Sequence, residues 1–195
     1  KMVKRIEPKP HDDVLDIVDG VESFVQSGGV AGFLADYLEL KDPKDIKKIR
    51  FISSADLLGE HKRQYEFLND PRLADITIAV VPKELWIKGN QPSESHAEKG
   101  LILFNEEYFN GEDKIAWLVH ELAHCLVFKD QPSDYEKIVA TSYPNNQVEA
   151  VTFRKQFEYL KRTGVKREDI IAMLKVDYTN EEDFRFFNKV LDEVF

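Results

Sequence analysis

Between Trp117 and Phe128 the chain reads WLVHELAHCLVF, an apolar run interrupted only by His120, Glu121 and His124. No other segment constrains the fold as strongly. A stretch this apolar belongs in a core, and burying two imidazoles and a carboxylate with it is costly unless they find partners. On a helix, residues i and i+4 lie on one face a turn apart, so His120 and His124 can aim two imidazoles at one ion. Glu121 stands about 100° round the axis, beside that face and not on it. The offset suits a carboxylate that works on a metal-held water without ligating the metal. The pattern is H-E-x-x-H, and the metal it suits is zinc. The competing reading is two hydrogen-bonded core histidines with a solvent-facing glutamate.

The flanks favour the metal. A helix is predicted from about Gly111 to Phe128, with Asn110 as its cap and Glu112 and Asp113 at its positive end. Ile115, Leu118, Leu122 and Cys125 or Leu126 form a stripe that anchors it in a core. Val119, Leu122 and Ala123 keep the surroundings of the motif uncharged.

The rest of the chain sets limits. At 195 residues, with 43% hydrophobic and 32% charged, it has the composition of one globular domain. A net charge of -9 argues against nucleic acid and anionic membrane as partners, since both need a basic footprint. The single cysteine, Cys125, rules out an intrachain disulfide and reads as a small core residue. No apolar run has membrane-spanning length, and KMVKRIEPKP lacks the apolar centre of a signal peptide, so a cytoplasmic protein is expected.

Periodicity predicts a helix after Asp12 and Asp13 that carries Val14 to Val25, and a shorter one from Val30 to Leu40. Strands are expected at about Ile46 to Ile52, in DITIAVVP, and at Leu101 to Phe104 (LILF), with a helix after Ser54 and a polar loop from Gly89 to Gly100. Further helices are expected at Gln147 to Thr163, Arg167 to Leu174 and Glu181 to Val194, the last capped by Thr179 or Asn180. Strands to about residue 105 and helices from about 110 make one α+β domain over 1–195, with a small mixed or antiparallel sheet.

On His120, Glu121 and His124 the chain resembles the zincin metallopeptidases, which share H-E-x-x-H on an active-site helix. The resemblance implies two zinc ligands in His120 and His124 and a general base in Glu121. It also implies an edge strand before the helix that binds extended substrate, and LILF stands in a suitable place. A third ligand is needed, because catalytic zinc keeps three protein ligands and one open position. One subclass places it six residues after the second histidine, which is Asp130, but Val127 replaces that subclass's turn glycine. The gluzincins take a glutamate from a later helix, and YPNNQVEAVTFRKQFEYL offers Glu149, 25 positions after His124. Glu149 lies beside a stripe of Ala150, Phe153, Phe157 and Leu160, near a helix N-terminus. The segment is similar to the N-x-x-E-A helices of small gluzincins. Glu149 is preferred to Asp130, with Glu158 and His96 behind them. Thermolysin-like gluzincins carry an aspartate four residues after the ligand glutamate, and here that position is Phe153.

Tyr143 is the candidate donor to an oxyanion. Asn145 and Asn146 read as turn residues, and His11, His61 and His96 as surface residues. Phe184, Phe186 and Phe187 are expected to pack internally. The expected function is a zinc metallopeptidase of peptide or protein substrates, with Zn²⁺ on His120, His124 and Glu149. The alternative is a zinc-containing binding or regulatory protein with little turnover.

Overall fold

The computed structural model describes residues 16–17 and 29–195. The fold is α+β, a five-stranded mixed sheet followed by a helical C-terminal half. The strands are β1 (Asp16–Ile17), β2 (Arg50–Ser53), β3 (Thr77–Val81), β4 (Ser93–His96) and β5 (Leu101–Asn105). Their spatial order is β1-β2-β3-β5-β4. β1 runs parallel to β2, β2 antiparallel to β3, β3 parallel to β5 and β5 antiparallel to β4. The helix expected from Asp12 to Val25 lies outside the described residues except at Asp16 and Ile17, which pair with Arg50 and Phe51 as strand.

β3 and β5 are buried along their whole length because both faces of the sheet are covered, and so they read as unbroken apolar runs. Ile78, Val80, Ile102 and Phe104 belong to the larger core. The alternate residues Ala79, Val81, Leu101 and Leu103 meet Val30, Leu34 and Leu38, which lie in and just after α1 (Val30–Tyr37). A short α2 (Ser54–Leu58) is capped by Ser53, whose Oγ accepts from Asp56 N–H at 3.1 Å, and not by Ser54. The Ser54 hydroxyl donates instead to the Leu73 carbonyl.

LILF is not an edge strand. β5 lies between β3 and β4, and the edge beside the helical half is β4. β4 falls inside the expected polar loop: its residues Ser93, Glu94, Ser95 and His96 have no apolar alternation to betray a strand.

After β5 come α3 (Glu106–Phe109), α4 (Lys114–Asp130), α5 (Pro132–Val139), α6 (Gln147–Arg162), α7 (Arg167–Asp177) and α8 (Glu181–Val194). Asn110 does not cap the long helix. It closes α3, and α4 starts after Asp113, which makes no side-chain cap hydrogen bond. Asn180 does cap α8, its Oδ1 accepting from Glu182 N–H at 2.9 Å. α4 is buried from Leu118 to Leu126 and packs chiefly against α6, which in turn packs on α8. Phe186 and Phe187 are buried there, with Phe184 partly buried beside them. Among the described residues no helix is long and apolar enough to cross a membrane.

Candidate metal centre

α4 presents His120 and His124 to the first turn of α6, where Glu149 sits three residues after its cap. Asn146 Oδ1 accepts from Glu149 N–H at 2.9 Å, and Asn146 N–H is satisfied by the Pro144 carbonyl at 2.8 Å. A glutamate at this position usually reaches back to the cap N–H. Here that donor is already taken, and the Glu149 side chain turns to the histidines. Its Oε2 lies 3.4 Å from His120 Nε2 and its Oε1 lies 3.3 Å from His124 Nε2. The two Nε2 atoms are 3.2 Å apart. All three side chains are buried, and their ligand atoms lie within 4.8 Å of one another, so the group could hold a metal ion. Two imidazole nitrogens and a carboxylate converging on one buried point are chemically a ligand set.

The electrostatics follow from that convergence. Burial alone would raise the Glu149 carboxyl, but hydrogen bonds and charge from His120 and His124 outweigh it and hold the group well below the usual carboxylate range. Burial would lower His124, yet the Glu149 hydrogen bond and charge, with Glu121 behind them, leave it raised. On its far side His124 Nδ1 meets Tyr135 Oη at 3.0 Å. Were Nε2 to hold a metal, the ring proton would stand on Nδ1 and be donated to Tyr135.

His120 differs. Its Nδ1 is buried without a partner among the described residues. The Phe153 ring packs edge-on against the imidazole, with the ring centroids 4.5 Å apart. Thr152 Oγ1 donates to Glu149 Oε2 at 3.3 Å and so helps to orient the carboxylate.

Glu121 stands outside the ligand group but lines the same cavity of about 650 Å³. Its Oε1 accepts from Ser93 Oγ of β4 at 2.8 Å. Tyr143 also lines the cavity; the residue is 59% exposed, and its hydroxyl meets that of Tyr178 at 2.6 Å. Compared with protein families, curated proteins and solved structures, the chain matches none. What the centre can do therefore rests on its own chemistry.

The remaining candidates are elsewhere. Asp130 ends α4 with its side chain 58% exposed and 2.5 Å from Arg72 Nη1. Glu158 accepts from the Tyr65 hydroxyl. His96 is not a surface residue: its side chain is only 12% exposed, packed against the rings of Phe33 and Tyr37 at 5.0 and 4.6 Å. His61 Nδ1 meets Tyr159 Oη at 3.1 Å, and His11 lies outside the described residues. Cys125 is buried, which pushes its thiol up to about 12 and leaves it a packing residue.

Two residues of the site escaped sequence reasoning. Tyr135 lies in α5, a helix not among those expected from periodicity, although Pro132 in its first turn is a helix-start signal. Ser93 carried no signal, since nothing in SESH marks a strand, still less one that reaches a glutamate 28 residues on.

Proposed function

We propose that this chain is a zinc-dependent metallopeptidase. One observation carries the reading: three donors spaced for zinc stand beside a carboxylate that is held in the same cavity but outside the ligand group. Zinc-to-ligand bonds of about 2.0–2.1 Å at tetrahedral angles put neighbouring ligand atoms roughly 3.3 Å apart. The separations of 3.2, 3.3 and 3.4 Å among His120, His124 and Glu149 fit that geometry. Two imidazoles and one carboxylate also leave a fourth position open, as a catalytic site requires and a purely structural one does not.

Bound zinc would polarise a substrate carbonyl and bring the pKa of a water toward neutrality. The remaining chemistry belongs to the chain. Glu121 accepts the proton of the attacking water and passes it to the leaving amine. Ser93 holds the carboxylate by its Oε1 and leaves the other oxygen free of that bond. Tyr143 and Tyr178, which share a hydrogen bond at the wall, are the candidate donors to the oxyanion. The open edge of β4 lies along the cavity and can take an extended peptide by strand addition, which supports a peptide as the substrate.

Three substitutions separate the roles, each scored for metal by elemental analysis and for turnover on a peptide mixture. Glu121→Gln is expected to keep its metal and lose about 10²–10⁴ in rate. Glu149→Ala is expected to lose most of the metal, because two histidines alone hold it weakly. Asp130→Ala is expected to keep both. Stoichiometric metal with no cleavage of any peptide by the unmutated protein would replace the enzyme with a metal-binding regulatory protein. Metal lost from Asp130→Ala but kept by Glu149→Ala would move the third ligand.

A further inference from the structure

Behind Trp117 a second cavity of about 290 Å³ opens among the start of α4, the later turns of α6 and α7. It adjoins the first, and Trp117, Val176 and Asp177 line both. Trp117 stands three residues before His120, and the two rings are 6.4 Å apart. The walls are apolar, built from Phe157, Leu160, Ile170, Met173 and Leu174.

Two features of this pocket are left unmet by the protein. Gln156 lines it, is only 3% exposed, and its Oε1 has no hydrogen-bond partner among the described residues. A buried amide oxygen without a donor carries a desolvation cost that a donor from a ligand would remove. Four carboxylates also line the pocket, and no lysine, arginine or histidine does. Glu107 is paired with Lys83 at 2.5 Å, whereas Glu112, Asp113 and Asp177 have no ion pair among the described residues. Burial raises the carboxyls of Asp113 and Asp177, and the charge of Glu112 adds to the first. Asp177 is moreover the last residue of α7, the end at which the helix dipole disfavours an anion.

We propose that this pocket is a specificity subsite that receives a long basic side chain, lysine or arginine, from a peptide lying in the main cavity. The aliphatic stem covers the apolar walls, the terminal N–H groups supply the donor that Gln156 lacks, and the charge answers Asp113 and Asp177. An acidic side chain would be repelled. An aliphatic one would cover the walls and leave the oxygen and the carboxylates unmet. The substrate class rests on the peptidase reading, but the binding preference can be tested without turnover.

The test uses the Trp86→Phe, Glu121→Gln protein, in which Trp117 is the one remaining tryptophan. Short peptides carrying lysine or norleucine at each position in turn are titrated against Trp117 fluorescence. The expected result is one position at which lysine binds at least about tenfold tighter than norleucine, with the ratio shrinking as salt rises. Asp113→Asn with Asp177→Asn should abolish the ratio. Glu168→Gln, the loss of one charge on an exposed part of α7, should leave it. Equal affinity for both peptides at every position overturns the proposal, as does a ratio that survives the double asparagine variant. Butylammonium binding as tightly as the peptide would make this a small-cation site and also overturn it. A dimer that Met173→Lys dissociates would put a second copy in the pocket, with the same consequence. A lysine preference in a protein whose unmutated form cleaves nothing would overturn the peptidase reading and leave the subsite standing.

Discussion

Ser93 meets Glu121 through one hydrogen bond and Glu149 meets both histidines, and each arrangement has a measurable consequence. Ser93→Ala removes the only hydrogen bond that Glu121 makes to a side chain among the described residues. Metal content should be unchanged while kcat drops roughly tenfold, the size expected for a lost charge-assisted hydrogen bond. Ser93→Thr should restore most of it, which a merely structural role would not require. The metal-free protein gives a second check. His124 is raised when folded, so its contribution to stability is complete below the unfolded pKa of about 6.5 and is lost as pH climbs through the folded value. Glu149 is depressed, so its contribution is complete above about 4.3 and is lost as pH falls through the folded value. Both are present together between about pH 4.3 and 6.5. The Tm difference between the metal-free protein and its Glu149→Gln variant should be greatest in that window. A difference that keeps growing above it would contradict the pairing.

Among elements, β4 carries the clearest consequence. Asn105 N–H bonds the Pro92 carbonyl at 2.9 Å. Antiparallel alternation then turns Glu94 and His96 inward to β5 and the backbone groups of Ser93 and Ser95 outward to the open edge. The Ser93 carbonyl indeed accepts from Gln91 Nε2 at 3.0 Å and not from β5. Ser95→Pro therefore deletes an outward N–H while sparing the ladder, a change that edge strands tolerate. Peptide turnover should fall severalfold through KM, with metal content and far-ultraviolet circular dichroism retained. Unchanged KM would mean that substrate does not add to this edge.

Taken as a whole, the molecule brings α4 and α6 together over four buried polar residues: His120, Glu121, His124 and Glu149. His120, His124 and Glu149 join the two helices through hydrogen bonds and charge, and a bound metal would add a cross-link between them. Zinc at about a hundred times its dissociation constant should add about 2.7 kcal/mol. For a chain of this size that is roughly 5–11 °C in Tm. Thermal unfolding with zinc and then with a chelator measures it, and a Tm indifferent to both would argue that the cluster binds no metal.

How far the chain could be read depended on the range of each interaction. The His120 and His124 pair was legible because i and i+4 meet on any helix, whatever surrounds it. Asn180 and the apolar run of β3 were legible for the same reason: capping and two-sided burial leave local marks. Glu149 and Asp130 were both within chain reach of the histidines, and sequence could only prefer one. The packing of α6 on α4 brings the Glu149 carboxylate to the two Nε2 atoms, while Asp130 meets Arg72 at the surface. Strand order was likewise hidden. LILF has the composition of a strand, but composition states only that a segment is to be buried, and the pairing of β4 outside it made it interior. SESH looks like a loop because its polar side chains find specific partners, Ser93 on Glu121 and Glu94 on the Tyr37 hydroxyl, that leave no apolar alternation. Periodicity records how much burial a residue needs, and only the assembled tertiary structure decides which partner supplies it.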